Sequence, residues 1–200
     1  MRYPKEQKSE TRRRILNAAA RLFRESGYDG VGVDAIMSEV GLTAGGFYSH
    51  FPSKEALFSE AMALALSPAG TLRAKTGSRA STSGEPDPLV NLIKGYLSRN
   101  HRDAVADGCP LPTLSADVAR KSDATRERFE DQFLMFVKQI EMLMPDGSET
   151  ATDQALSLLA QCVGGLLLSR AVKDRKLSDR ILKSCRDAAL KTSGNQEDRQ

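Results

Sequence analysis

The chain has 200 residues, of which 40% are hydrophobic and 28% charged, a composition typical of a globular protein with a sizeable core. It argues against a disordered chain, and three scattered cysteines are too few for a disulfide framework. No run approaches the ~18 uninterrupted apolar residues of a membrane helix, and the first residues lack a secretion signal. We therefore expect a cytoplasmic protein without membrane contact.

The net charge of +3 is unevenly distributed along the chain. Residues 1–24 contain eight basic and two acidic residues and carry +6, so the remaining 176 residues sum to −3. This asymmetry favours a polyanionic partner at the N-terminal segment. On charge alone, a solvated basic helix face is an equally good interpretation.

The N-terminal 66 residues predict four helices from apolar spacings of three and four. Ser9 is a candidate N-cap for the first helix, and Gly27 is well placed to end it. Gly41 ends the second helix, Thr43 is a candidate cap for the third, and the fourth begins after Ser53. The predicted helices cover residues 9–25, 33–40, 44–50 and 54–66.

The rest of the chain begins with a linker at residues 67–88, where 13 of 22 residues are Gly, Pro, Ser or Thr; we expect a mobile loop there. Helical periodicity resumes at Leu89 and breaks at the prolines that follow Cys109. A long helix from Asp123, an apolar helix over 151–172 and a last helix over 178–191 follow. No strand pattern is present, so the sequence predicts an all-α fold of about nine helices.

The second and third predicted helices, joined by a turn that contains Gly41, match the geometry of a helix-turn-helix. In that unit the last helix enters the major groove of DNA and the one before it braces against the backbone. Many helical bundles contain such turns, so spacing alone supports this interpretation only moderately.

The run Gly41–Phe58, GLTAGGFYSHFPSKEALF, together with its lead-in from Ile15 to Tyr28, resembles the signature of TetR-family transcriptional regulators. The resemblance covers about residues 11–60. It implies a homodimeric, repressor-like protein with a DNA-binding domain at 8–54 and a ligand-binding and dimerisation domain at 55–193. We expect a small hydrophobic or aromatic effector to release the protein from double-stranded operator DNA.

The resemblance also implies roles by position. Thr43 and Tyr48 would bind phosphates, His50 would lie near the DNA backbone, and Lys54 would pair with a phosphate. Hydroxyl, imidazole and ammonium groups around a helix end suit an anion site. The alternatives are that Tyr48 packs half-buried and that the imidazole of His50 is simply buried. The predicted DNA-binding residues are Arg13, Thr43, Ala44, Gly45, Gly46, Tyr48, His50 and Lys54.

The sequence departs from the family pattern at two places. Gly32 stands where the family usually has Thr or Ser to cap the second helix, which costs little. Ala44, Gly45 and Gly46 leave the recognition helix almost bare, so few side chains there can read base edges. We expect sequence choice to come from thymine methyl contacts, close backbone approach or DNA shape. The basic run Arg12–Arg14 would lie along the DNA backbone or reach an adjacent minor groove, and would add affinity with little sequence information.

The C-terminal helices predict a mostly apolar pocket with a few polar groups, which suits a hydrophobic or aromatic ligand. Any single phenylalanine among its candidate residues is better explained as core. Gly164 and Gly165 would let another helix approach closely, as the two-fold interface implied by the resemblance requires. The predicted pocket residues are Tyr96, Cys109, Phe129, Phe133, Phe136, Val163 and Leu167.

Cys109 leaves two interpretations open. The Gly-Cys-Pro sequence at a helix break resembles an LmrA/YxaF-like subset of the same family. A thiol at a helix start can be activated by the helix dipole and act as a reactive sensor. Most cysteines without a disulfide are instead buried and inert.

Two other function classes fit less well. An enzyme is not indicated, because the sequence has no nucleophile elbow, phosphate-binding loop or dinucleotide fingerprint. No metal-ligand spacing or cofactor motif is found, and His101 and Cys109 form a pair without a third group. A helical protein-binding adaptor would not require such a basic N-terminal segment. We therefore predict a dimeric DNA-binding regulator, most simply a repressor, with no cofactor.

Overall fold

A computed structural model describes residues 5–67, 87–144 and 150–192. Within these ranges every regular element is a helix, which confirms the all-α prediction; there are nine α-helices and one 3₁₀ helix, rather than about nine in all. The elements are α1 Lys5–Ser26, α2 Val33–Glu39, the 3₁₀ helix η1 Ala44–Ser49, α3 Lys54–Leu66, α4 Pro88–Tyr96, α5 Arg99–Asp103, α6 Leu111–Val118, α7 Asp123–Glu141, α8 Ala151–Ala171 and α9 Arg175–Thr192.

Helix α1 ends where the sequence predicts and begins earlier. Gly27 has φ +73°, the left-handed conformation that glycine adopts without a Cβ penalty, and its N–H donates to the carbonyl of Phe23 at 2.8 Å. The predicted N-cap at Ser9 is wrong, because α1 starts at Lys5 and Ser9 lies inside the helix. Residues 5–24 of the basic N-terminal segment are thereby part of a continuous helix.

The turns around η1 follow the sequence signals closely. Gly41, with φ +71°, ends α2, and Gly32 occupies the N-cap position of α2. Thr43 occupies the N-cap position of η1 without a side-chain capping bond. Ser53 caps α3, since its hydroxyl accepts the N–H of Ala56 at 3.0 Å. The hydroxyl of Thr43 is therefore not engaged in capping.

One compact unit comprises Met1–Thr71 and Cys109–Gln132. In it α1 packs against α2, α3 and α6, and α2 packs against η1. Four phenylalanines with no exposed surface form much of its core: Phe23, Phe47, Phe51 and Phe58. The rings of Phe23 and Phe58 meet edge to face with centroids 5.2 Å apart, a favoured aromatic geometry.

The second unit comprises Leu72–Gly108 and Phe133–Gln200. The most extensive helix packing in this unit is between α8 and α9. There, a Cβ added to Gly165 would come within 2.8 Å of Cys185. Gly165 thus allows α9 to approach closely, whereas a Cβ at Gly164 would meet nothing within 4 Å. By length and composition α8 is apolar enough to span a membrane; in this unit one side of it packs against α4, α5 and α9.

Two elements of this unit differ from the prediction. The five-residue helix α5 was not expected, and α9 begins at Arg175 rather than at residue 178. The helix α5 is held by contacts distant in sequence, among them Arg102 with Ser178, which no local pattern reveals. The domain boundary at 54/55 remains a prediction, and most of the predicted mobile loop at 67–88 lies outside the described residues.

Candidate nucleic-acid interface

One side of the 3₁₀ helix η1 is buried in the protein core, and the other side is exposed to solvent. Phe47 is fully buried and stacks on Phe51 with ring centroids 5.8 Å apart. On the other side Thr43, Gly45 and Tyr48 are exposed. Because one aromatic anchors the helix, the surrounding polar and small residues are left at the surface.

Tyr48 has 70% of its surface exposed. Its ring meets Phe47 edge to face, with centroids 5.2 Å apart, so the base of the ring is fixed while the hydroxyl reaches solvent. This exposure argues against the alternative that Tyr48 is a half-buried packing residue. The phenol of Tyr48 and the hydroxyl of Thr43 are both exposed. Each can donate a hydrogen bond to a phosphate.

The two glycines of η1 are not required by packing inside the protein. A Cβ at Gly45 would meet nothing within 4 Å, and one at Gly46 would meet only the flexible end of Met37 at 3.7 Å, an ordinary contact. Neither glycine has a positive φ. Both positions therefore present bare backbone to the outside, although alanine would fit.

His50, at the C-cap of η1, is half-buried. Its Nδ1 is buried and makes no hydrogen bond to any residue that the structure describes. Burial lowers the pKa of the imidazole, and the nearby positive charges of Lys8 and Arg12 lower it further. The ring is thus held in its neutral form next to cationic residues.

The basic run of α1 divides into two bracing residues and one outward residue. Arg12 bonds Glu60 at 2.6 Å and the carbonyl of His50 at 3.3 Å, and Arg14 bonds the carbonyl of Val40 at 2.8 Å. Arg13 is 68% exposed and pairs only one turn away, with Glu10. Of the three guanidinium groups, that of Arg13 is best placed to exchange its partner for a phosphate.

Lys54, at the first position of α3, lies over an aromatic ring rather than extending into solvent. Its ammonium is 4.2 Å from the ring centroid of Tyr28, and Lys121 lies over the same ring at 3.3 Å, both within cation–π range. Burial is the main cause that lowers the pKa of Lys54. A phosphate contact by Lys54 would require the side chain to leave this ring.

The turn between α6 and α7 is bonded to this same region, which the sequence does not indicate. Glu55 accepts the hydroxyl of Ser122 at 2.5 Å, the hydroxyl of Thr125 at 2.8 Å and the N–H of Ser122 at 3.1 Å. These bonds, the one from the Ser122 hydroxyl first, lower the pKa of Glu55. Asp117 accepts the N–H of Tyr28 at 2.9 Å. Ser122 directly precedes α7, and no local signal identifies a partner 67 residues away.

The predicted pocket residues fall in both units. Cys109 and Phe129 belong to the first unit and the others to the second. Cys109 and Phe136 are buried, whereas Leu167 is 45% exposed on α8. The burial of Cys109 favours its structural interpretation over a reactive one. The pocket itself stays a prediction.

The described residues contain no group of three or more His, Cys, Asp or Glu side chains that could hold a metal ion. The exposed hydroxyls and bare backbone of η1, and the outward Arg13 of α1, are groups that suit contact with DNA. This arrangement of α2, η1 and their turn defines a helix-turn-helix DNA-binding protein.

Comparison with known proteins agrees. Residues 15–61 match the family model described as bacterial regulatory proteins, tetR family. The chain is 25% identical over 196 residues to the HTH-type transcriptional repressor DhaR of Mycobacterium sp. (strain GP1), covering 94% of this chain and 96% of that protein. It is 29% identical over 170 residues to the HTH-type transcriptional regulator LmrA of Bacillus subtilis (strain 168), covering 82% and 89%.

The fold extends over the whole chain in a solved relative. A TetR transcriptional regulator from Chloroflexus aurantiacus J-10-FL superposes with a TM-score of 0.72 at 23% identity, covering 96% of this chain and 98% of that one. The comparisons together support a TetR-family transcriptional regulator. This confirms the resemblance to the family, including LmrA, and the expectation of a regulator rather than an enzyme.

Proposed function

We propose that the protein is a cytoplasmic, dimeric repressor that leaves its operator when a small hydrophobic or aromatic effector binds. The observation that carries the proposal is the outward face of η1, where exposed hydroxyls flank bare glycine backbone. The name of DhaR, a transcriptional repressor, supports the sign of regulation.

In this proposal the hydroxyls of Thr43 and Tyr48 bind phosphates on either side of the major groove. Gly45 and Gly46 let the backbone of η1 approach the base edges, so that DNA shape and thymine methyl groups supply the sequence preference. Arg13 exchanges Glu10 for a phosphate. His50 stays neutral and shapes the end of η1, and Lys54 reaches a phosphate after leaving the ring of Tyr28.

Dimerisation is supported by two unpartnered apolar stripes in the second unit. On α8, partly or fully exposed apolar residues recur at spacings of four and three; they are Leu156, Ala160, Val163, Gly164 and Leu167. On α9 a similar stripe contains Leu177, Ile181 and Ala188. Exposed apolar stripes at this spacing suit helix packing against a second copy.

Control by an effector requires a connection between a pocket and the DNA-binding helices. Helix α6 supplies one within the first unit, because the predicted pocket residue Cys109 precedes it and Asp117 lies in its last turn, bonded to Tyr28. A ligand that favours a shifted α6 would shift the population towards a state in which the two recognition helices no longer match half-sites ~34–36 Å apart.

The test is footprinting and fluorescence anisotropy on the DNA upstream of the protein's own gene, repeated with aromatic compounds. We expect a protected, two-fold symmetric site and loss of protection with one effector class. Protection that no compound relieves would contradict the ligand-responsive part, and a monomer that ignores every duplex at low ionic strength would contradict the whole proposal.

The role of Arg13 is tested by the salt dependence of DNA binding. Each phosphate contact contributes about 0.9 to the slope of log affinity against log salt. Because Arg13→Ala removes one contact from each subunit of the dimer, it should flatten the slope by about 1.8. Arg128→Ala removes the same charge from an exposed position on α7 and should leave the slope as in the wild type. An unchanged slope for Arg13→Ala would remove that residue from the interface.

A further inference from the structure

The second unit contains an open groove that the DNA-binding and effector roles do not use. Its volume is about 560 Å³, within the range of small-molecule sites. One wall is formed by residues 97–100, where α5 begins, and the other by residues 179–186 of α9. The lining residues are Leu97, Ser98, Arg99, Asn100, Asp179, Arg180, Leu182, Lys183 and Arg186.

The charge of this groove is strongly positive. Its lining holds four cationic side chains and one carboxylate, that of Asp179. That carboxylate is already paired, because Arg99 bonds it at 2.7 Å and the buried Arg102 at 2.9 Å. Arg99 and Arg102 thus neutralise the one carboxylate of the groove. The cations of α9 in the lining therefore have no carboxylate of the groove to pair with.

The cations of α9 form a row. Arg180, Lys183 and Arg186 recur at every third residue and span ~9 Å along the helix axis. Arg180 has no hydrogen bond or ion pair to the described residues, and Lys183 pairs with the exposed Asp187 one turn away. Arg186 gives one N–H to the carbonyl of Leu97 at 3.3 Å. Donors therefore remain in all three groups for an oxyanion.

The opposite wall is rigid. Ser98 caps α5 by accepting the N–H of His101 at 3.1 Å. Arg102, only 6% exposed, bonds both Asp103 and Ser178, which ties α5 to α9. Because this wall is fixed, ordering on ligand binding is confined to the cationic side chains of the groove, which limits the entropy lost.

The groove is distinct from the predicted effector pocket and from the apolar stripes proposed to form the dimer interface. None of the seven predicted pocket residues lines it. At about 100° per residue, Lys183 and Arg186 lie on the side of α9 opposite the apolar stripe of Leu177, Ile181 and Ala188, and Arg180 lies roughly 80° from that stripe. A second copy packed on that stripe would leave the groove accessible.

We propose that this groove binds a small oxyanion with at least two negative charges. The ligand is either a compound with phosphate groups or a polycarboxylate. Guanidinium groups match the oxygens of both kinds bidentately. A multivalent anion is required because each exposed ion pair alone binds weakly. The row of three cations along α9 then contacts separate negative groups of one ligand.

The experiment titrates the full-length protein with pyrophosphate and, separately, with citrate at low ionic strength, using calorimetry and backbone amide NMR. We expect one site per chain, with shifts at Ser98 and Asn100. The double variant Arg180→Gln/Lys183→Gln should bind at least ten-fold more weakly. The control, Lys173→Gln/Lys191→Gln, removes the same charge from exposed positions outside the groove and should bind like the wild type.

Tighter pyrophosphate binding would identify a phosphate ligand, and tighter citrate binding a polycarboxylate; either supports the site. Equal weakening in both double variants would overturn the proposal, because it would show a response to net charge alone. Shifts confined to α1 and η1 would also overturn it, since they would place the anion at the DNA-binding surface. No DNA enters this test, so its result is independent of the proposed repressor function.

Discussion

The two compact units distribute apolar and charged side chains in opposite ways. In the first unit, four phenylalanines are fully buried, and among the described residues the large hydrophobic side chains exposed are Leu42 and Tyr48. The second unit exposes seven, including Leu167, Leu168 and Leu177, while it buries the guanidinium of Arg102.

This difference indicates what each unit requires from outside itself. The first unit has satisfied its own core, so its surface is available for a charged, hydrated partner such as DNA. The second unit leaves apolar stripes uncovered, as expected of a surface that a second copy covers. Four predictions test the comparison, in order of decreasing effect.

The buried arginine of the second unit should contribute most to stability. Arg102→Met removes a buried cation that bonds Asp103, Ser178 and Asp179. The two carboxylates left behind are partly exposed, so the loss is mainly that of the hydrogen bonds of a buried guanidinium, which contribute about 1.5–3 kcal/mol each when one partner is charged. We expect the free energy of unfolding, measured with urea, to fall by about 3 kcal/mol.

Arg99→Met is the matched control for this change. Arg99 bonds the same carboxylate of Asp179 but is 71% exposed, and exposed ion pairs contribute at most about 1 kcal/mol. If the two variants unfold at the same urea concentration, the buried network is not what stabilises α5 in this unit.

The apolar stripes should control assembly. Leu167→Asp places a charge in the middle of the stripe on α8, at a position that is 45% exposed and therefore tolerates the change within one chain. We expect a folded monomer by analytical ultracentrifugation and about a hundred-fold loss of operator affinity, because two linked half-sites no longer bind together.

Leu134→Asp provides the comparison for assembly. Leu134 is 53% exposed on α7, outside the stripes, so this variant should remain dimeric and bind DNA normally. A dimeric Leu167→Asp variant would show that the exposed leucines of α8 have another role.

The bare backbone of η1 should matter for DNA and not for folding. Gly45→Ala adds a methyl group that meets nothing within 4 Å in the protein, and alanine is favoured over glycine in helices by about 1 kcal/mol. We expect unchanged or higher stability together with about ten-fold weaker operator binding, measured by thermal unfolding and fluorescence anisotropy.

Gly95→Ala makes the same substitution in α4, where a Cβ also meets nothing within 4 Å. This control should share any gain in stability and keep full DNA affinity. Undiminished DNA binding by Gly45→Ala would mean that η1 does not approach the bases through its backbone.

The sequence predicts local features well because their causes are local. Gly27 and Gly41 end their helices with positive φ, and the hydroxyl of Ser53 caps α3, each as its residue type indicates. The helix α5 and the bond from Glu55 to Ser122 were missed. Arg102 and Ser178 are 76 positions apart, and Glu55 and Ser122 are 67 apart, so no window of sequence contains both partners.

The smallest predicted effect is the pH dependence of stability between pH 7.5 and 5.5. Both histidines of the chain have a lowered pKa in the folded protein. For His101, in the second unit, burial is the main cause; the bond of its Nδ1 to the carbonyl of Tyr96 opposes the shift and Arg170 adds to it.

A histidine with a lowered pKa takes up more protons in the unfolded chain, so stability must fall as the pH drops through the usual histidine pKa of about 6.5. The carboxylate of Glu55, whose pKa is also lowered, contributes only at more acidic pH. We expect His101→Asn to flatten the decline in urea midpoint over this range, and His50→Asn to do so in the first unit. A wild-type midpoint that rises on acidification would contradict the neutral, buried state of both imidazoles.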